Sequence, residues 1–120
     1  MRNRNELSRR LLTFAVRVIK FLRILPKTAE YNVIRYQLIK SATSSGANYD
    51  EAQSGSSRAD FHYKVNISLK EMSESNYWLE VIMAIIEADH DKEELEWLMK
   101  ESMELEKILG RIVQKTGKRN

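Results

Sequence analysis

The sequence predicts an all-α protein: an antiparallel up-down-up-down four-helix bundle, a single domain over residues 1–120. Three observations predict it. Apolar residues recur every third or fourth position in four separate blocks, the period of a helix with one buried face. Four Gly and one Pro in 120 residues leave few breakers, so long helices are permitted. The blocks are joined by short turn-like segments, which make successive helices antiparallel neighbours.

Helix 1 is expected over about 5–25. Leu7, Leu11, Phe14, Val18, Leu22 and Leu25 mark its core stripe, and Pro26 ends it by pushing the preceding residue out of the α region. Helix 2 is expected over 29–53, with Thr28 as its cap. Tyr31, Ile34, Leu38, Ala42, Ser45, Tyr49 and Ala52 keep the helical step straight through Ser41–Ala47. That run reads as a loop in isolation, but the unbroken period predicts a helix whose small side chains admit a close neighbour. Gly46 then costs about 1 kcal/mol relative to alanine in a helix interior.

Ser54-Gly55-Ser56-Ser57 is the strongest turn signal, and Ser57 with Asp60 resembles a helix start. Helix 3 follows over 58–87, with Phe61, Val65, Ser68, Met72, Ser75, Leu79, Ile82 and Ile86 at nearly heptad spacing. Ala88-Asp89-His90 forms the next link. Asp91 with Glu94 predicts the cap of helix 4, expected over 92–116 with Leu95, Leu98, Ser102, Leu105, Leu109 and Ile112 inward.

No cysteine is present, so disulfides and thiolate metal sites are excluded. No apolar run reaches the roughly 20 residues that span a bilayer, and no signal peptide is recognisable, so the expected location is the cytoplasm. No serine lies near a convincing His/Asp pair, and no glycine-rich phosphate loop occurs. Glu87-x-x-His90 has the spacing of half a di-iron site, but the other histidine, His62, has no glutamate three residues before it. The expectation is therefore no enzyme, no cofactor and no metal.

The net charge of +3 hides an uneven distribution. Residues 1–27 carry a net +7, residues 28–49 +1, residues 50–106 −10 and residues 107–120 +5. On a helical wheel the cations of helix 1 lie opposite its apolar arc. Arg9, Lys20 and Lys27 nearly coincide, flanked by Arg23 on one side and by Arg10 and Arg17 on the other. Arg2 joins them if the helix extends that far. Arg111 and Lys115, followed by Lys118 and Arg119, fall at the same end of such a bundle as the start of helix 1. A basic stripe of this kind suits the phosphates of RNA or DNA; the plainer reading is an ordinary solvated face. Glu93, Glu94, Glu96, Glu101, Glu104 and Glu106 read as a solubilising acidic surface, helped by an i, i+4 pair between Glu96 and Lys100. Trp78 and Trp97 read as core or interface anchors rather than base-stacking platforms.

The apolar arc of helix 1 spans about 180°, more than the roughly 100° one core face uses. Leu12 and Ile19 stand at its edge. Ile67, Val81 and Ile85 lie off the stripe of helix 3, with Tyr77. These residues are candidates for a homo-oligomer interface.

Residues 38–52, Leu-Ile-Lys-Ser-Ala-Thr-Ser-Ser-Gly-Ala-Asn-Tyr-Asp-Glu-Ala, resemble the signature of the four helix bundle protein family. Its first known members are encoded in intervening sequences of bacterial 23S ribosomal RNA genes. The similarity continues through Arg58-Ala59-Asp60-Phe61, Ile67-Ser68-Leu69-Lys70-Glu71 and Glu74-Ser75, and covers residues 7 to 113. Within the motif, Ser41, Ser45, Gly46, Asn48 and Glu51 are expected to be structural; Asn48, Tyr49 and Glu51 more simply satisfy neighbouring polar groups than bind a ligand. The resemblance implies a ring, with a pentamer as its form. It also implies a distant likeness to the accessory variability determinant of diversity-generating retroelements, which is pentameric and binds nucleic acid and a reverse transcriptase. The resulting expectation is a non-enzymatic, cytoplasmic nucleic-acid-binding oligomer, an accessory factor of an rRNA intervening sequence or retroelement. The alternative is a scaffold that docks a protein partner without binding nucleic acid. A sensor using the bundle interior is a more remote third class.

Overall fold

Every block with the three-or-four spacing is helical in the computed structural model, which describes residues 3–55, 57–87 and 92–117. The helices are α1 (Glu6–Arg23), α2 (Ala29–Gln53), α3 (Arg58–Ile85) and α4 (Lys92–Gly117), and no strand occurs among the described residues. Three starts are closed by the side chain of the preceding residue. Asn5 accepts from the Ser8 amide at 2.8 Å, Thr28 from Tyr31 at 3.3 Å and Ser57 from Asp60 at 3.0 Å. Residues 88–91, which carry the expected link and the Asp91 cap, lie outside the described residues, as do Arg2, Lys118 and Arg119.

Two helices end earlier than the sequence predicts. α1 stops at Arg23 and turns over Ile24, whose amide bonds back to Phe21 and Leu22. α3 stops at Ile85, because Ile86 is extended (φ −69°, ψ 135°) and packs against the core instead of continuing the helix.

Each helix packs on two others: α1 and α3 both contact α2 and α4. At one end of the bundle, Asn5 donates to Tyr49 Oη and to Gln53 Oε1, both at 3.1 Å, so the start of α1 meets the end of α2. At the other end, Arg35 near the start of α2 reaches the end of α1. Ser41 and Ser75 hydroxyls meet at 2.7 Å while Lys64 meets Glu51 at 3.2 Å. Ser73 donates to Glu106 at 2.7 Å, and Arg58 donates to the Lys115 and Thr116 carbonyls, both at 3.2 Å. The start of α1 and the last turns of α4 thus share one end, where Glu6, Leu7, Arg10 and Ile108 border one depression.

The interior is filled by Leu11, Phe14, Val18, Leu38, Met72, Leu79, Leu98 and Leu105, all essentially inaccessible to solvent. Between α2 and α3 the filler changes from hydrocarbon to hydroxyl. Ser45 Oγ donates to the Ser68 carbonyl at 2.9 Å, and Ser68 Oγ donates to the Ser45 carbonyl at 2.7 Å. With Ser41 and Ser75 these form a dry ladder of short side chains. Every buried side-chain polar atom among the described residues has a partner.

Ser41–Ala47 is helix throughout. At Gly46 a Cβ would lie 3.5 Å from Leu11 Cβ and 3.8 Å from the Leu11 carbonyl carbon, ordinary contact distances. The close approach of α1 therefore does not depend on glycine. Gly46→Ala is expected to raise stability by about 1 kcal/mol through helix propensity, measurable as a higher urea midpoint.

Arg35 closes the α1–α2 turn. Its guanidinium donates to the carbonyls of Leu22 (3.0 and 3.2 Å), Leu25 (3.0 Å) and Pro26 (3.2 Å), and to Asn32 Oδ1 (2.9 Å). It satisfies the Leu25 and Pro26 carbonyls beyond the helix end and adds to the backbone amides that already bond to Leu22. Arg35→Met keeps much of the side-chain volume and removes the donors. The expected loss is about 2 kcal/mol, read from chemical denaturation.

Candidate nucleic-acid interface

α1 is packed along the side that carries Leu11, Phe14, Val18 and Leu22, so the opposite side faces outward. Arg9, Lys20 and Arg23 are exposed there, with Lys27 just beyond the helix end. Arg9 donates to the Arg4 carbonyl at 2.6 Å. Lys20, Arg23 and Lys27 have no acidic partner within 4 Å among the described residues. Arg111 and Lys115 are exposed on the last turns of α4, at the end of the bundle where α1 starts. Exposed cations therefore lie along α1 and at the end of the bundle where α1 starts.

Arg10 and Arg17 do not belong to this free set, which corrects the expectation that the whole stripe faces solvent. Both lean across the α1–α4 seam. Arg10 Nε and Nη2 donate to Glu101 at 3.0 and 2.9 Å. Arg17 Nε and Nη2 donate to Glu94 at 2.9 and 2.7 Å. The Arg17 guanidinium carbon also lies 3.5 Å from the centroid of the Trp97 ring, a cation–π stack. Hydrogen bonding to Glu101 raises the Arg10 pKa above the ordinary guanidinium value, against the opposing effect of desolvation. Glu94 does the same for Arg17.

Glu94 and Glu101 are therefore more than a solubilising surface. The signal that could have found them is their spacing. Arg10 and Arg17 are seven residues apart on one helix, and Glu94 and Glu101 are seven apart on its neighbour. Two turns on each side of the seam bring both pairs into register. Glu93, Glu96 and Glu104 remain exposed, Glu106 is drawn to Ser73, and the expected Glu96–Lys100 pair is not formed. Trp97 partners Arg17 while packing against the core; Trp78 also packs there and donates from Nε1 to Glu74 at 3.0 Å.

Ser41 and Ser45 carry the buried ladder, and Asn48 donates to the Ser44 carbonyl at 2.9 Å. Glu51 is exposed and meets Lys64. Among the candidate interface residues, Leu12 (41% exposed) and Ile85 (39%) are open to solvent, and Ile19, Ile67 and Val81 are half-buried. Glu87 is exposed, and His90 lies outside the described residues. No helix among the described residues is long and apolar enough to cross a membrane.

A family model described as "23S rRNA-intervening sequence protein" matches residues 4–111. No curated protein matches the chain. Among solved structures, the chain is similar to a protein of unknown function from the S23 ribosomal protein family of Bacteroides thetaiotaomicron VPI-5482. The two share 37% sequence identity over 89% of this chain and 97% of the other, with a TM-score of 0.77.

Proposed function

We propose, from the premise that the chain belongs to the 23S rRNA-intervening sequence protein family, that it is a non-enzymatic homo-oligomeric bundle that binds RNA or DNA along the outer face of α1. The observation that carries this reading is the row Arg9, Lys20, Arg23 and Lys27, exposed and without carboxylate partners. Arg9 and Arg23 are fourteen residues apart, about 21 Å along a helix axis, a span that covers several phosphates of a strand. Arg111 and Lys115 extend the field at one end. The meeting of each helix start with the end of its neighbour supports an antiparallel up-down-up-down course. Exposed Leu12 and Ile85 support assembly, with a pentameric ring as the form the family resemblance implies. A ring repeats the basic face and multiplies its avidity. In this reading the protein is a cytoplasmic accessory factor of an intervening sequence or retroelement.

The test is binding of a labelled 20-nucleotide RNA, followed by fluorescence anisotropy across salt. Four phosphate contacts predict a slope of about −3 in log affinity against log salt for a single strand. A flat salt response, or no binding at 50 mM salt, overturns the reading.

A second reading has its own observation. Leu12, Val16 and Ile24 are 41%, 40% and 59% exposed among those same cations. A phosphate backbone leaves them uncovered, whereas a protein surface would bury them. This supports a scaffold that docks a protein partner, such as a reverse transcriptase, and predicts a salt-tolerant complex.

A further inference from the structure

The two Arg–Glu pairs of the α1–α4 seam hold cations in a form that a nucleic acid can use. A guanidinium offers the same two-pronged donor fork to a phosphate as to a carboxylate. Arg10 and Arg17 present that fork to Glu101 and Glu94 with both donors engaged. The pairs are not sealed. Side-chain exposure is 32% for Arg10 and 37% for Arg17, and 15% and 35% for their glutamates. Both arginines flank the free row of Arg9 and Lys20 on the same helix. Trp97, between the two glutamates on α4, lies under the Arg17 guanidinium. Cations, an aromatic ring and solvent access are thus combined beside the proposed binding face, and the anions occupying the cations belong to the same chain.

We infer that Glu94 and Glu101 are internal competitors of the nucleic-acid backbone, holding Arg10 and Arg17 in reserve until a strand displaces them. The inference rests on the reading of α1 as a nucleic-acid-binding face. Exchange replaces each carboxylate–guanidinium fork by a phosphate–guanidinium fork, so the arginines keep their partners' geometry throughout. The displaced glutamates turn to solvent. A strand that engages only the outer row leaves the pairs closed; one that follows α1 closely gains two further phosphate contacts. The outer row sets basal affinity, and the seam sets how much a well-seated strand adds to it.

The experiment compares three proteins on the same labelled 20-nucleotide oligouridylate between 50 and 200 mM salt. They are the wild type, E94Q/E101Q, and the charge control E93Q/E96Q, whose glutamates are exposed and form no hydrogen bond or ion pair with α1 among the described residues. All gains from the change in net charge are common to the two variants. Freeing two cations predicts that E94Q/E101Q binds about tenfold tighter than the control at 50 mM salt, with a salt slope steeper by about 1.4. Adding R10Q/R17Q to E94Q/E101Q is expected to remove that gain. Should E94Q/E101Q melt too low for the assay, the single E101Q carries the same test with half the slope change. Equal affinity and slope in the two variants, with the wild type still binding, overturns the competition and leaves the outer-face reading standing. A gain that survives R10Q/R17Q also overturns it. Absence of binding in all three proteins overturns both.

Discussion

Changing Arg9, Lys20, Arg23 and Lys27 together to glutamate is expected to abolish nucleic-acid binding while leaving the bundle folded. On a single strand each phosphate contact contributes about 0.7 decade of affinity per tenfold fall in salt, about 0.9 decade at 50 mM relative to 1 M. Four lost contacts therefore predict a loss of at least about 100-fold, before like-charge repulsion is added. The fold should survive because all four side chains are exposed. The single hydrogen bond involved, from Arg9 to the Arg4 carbonyl, lies at the surface. Lys20 and Arg23 do sit in the last turn of α1, where cations suit the helix dipole. Their reversal costs about 0.3–1 kcal/mol each, seen as a small drop in thermal midpoint by circular dichroism. Arg10 and Arg17 are left out of this variant because their reversal would set glutamate against Glu101 and Glu94 and confuse binding with unfolding. An affinity within threefold of wild type would remove the outer face from the mechanism.

Ser45→Leu is expected to cost about 3–4 kcal/mol, a large part of the stability of a domain this size. Ser45 is fully buried, and its hydroxyl donates to the Ser68 carbonyl. Leucine removes that donor and puts three carbons in place of one oxygen where two helix backbones are separated by little more than a hydroxyl. Overpacking of this kind forces backbone movement. Ser45→Ala separates the two contributions. It loses the hydrogen bond without adding volume, so its cost should be about 1 kcal/mol. Urea denaturation of both variants checks the prediction, and equal midpoints would show that the helices have room to spare.

The helices were legible because their signal is local and repeated. Leu11, Phe14, Val18 and Leu22 announce a buried face whatever lies across from it. Asn5, Thr28 and Ser57 act as caps within three residues of their partners, so short-range chemistry suffices to place those boundaries to within a residue. The seam was not legible from α1 alone. Arg10 and Glu101 are ninety-one residues apart, and a wheel drawn for one helix cannot show which edge its neighbour covers. The outward centre of the stripe, Arg9 and Lys20, could be placed from α1 alone; its flank could not. Arg35 was hidden for a related reason. In sequence it is one more surface cation of an amphipathic helix, and only the return of the chain after Pro26 brings three carbonyls within its reach.

The hydroxyl rungs between α2 and α3 also act as an alignment check. Ser41 faces Ser75 and Ser45 faces Ser68. Sliding α3 by two turns would keep one of these matches, Ser41 with Ser68, but would set Ser45 opposite Phe61. A hydroxyl stranded in hydrocarbon is costly, and the aromatic ring cannot fit where a hydroxyl did. A hairpin threaded in that register is therefore disfavoured. Leucines alone at these positions would tolerate such slippage.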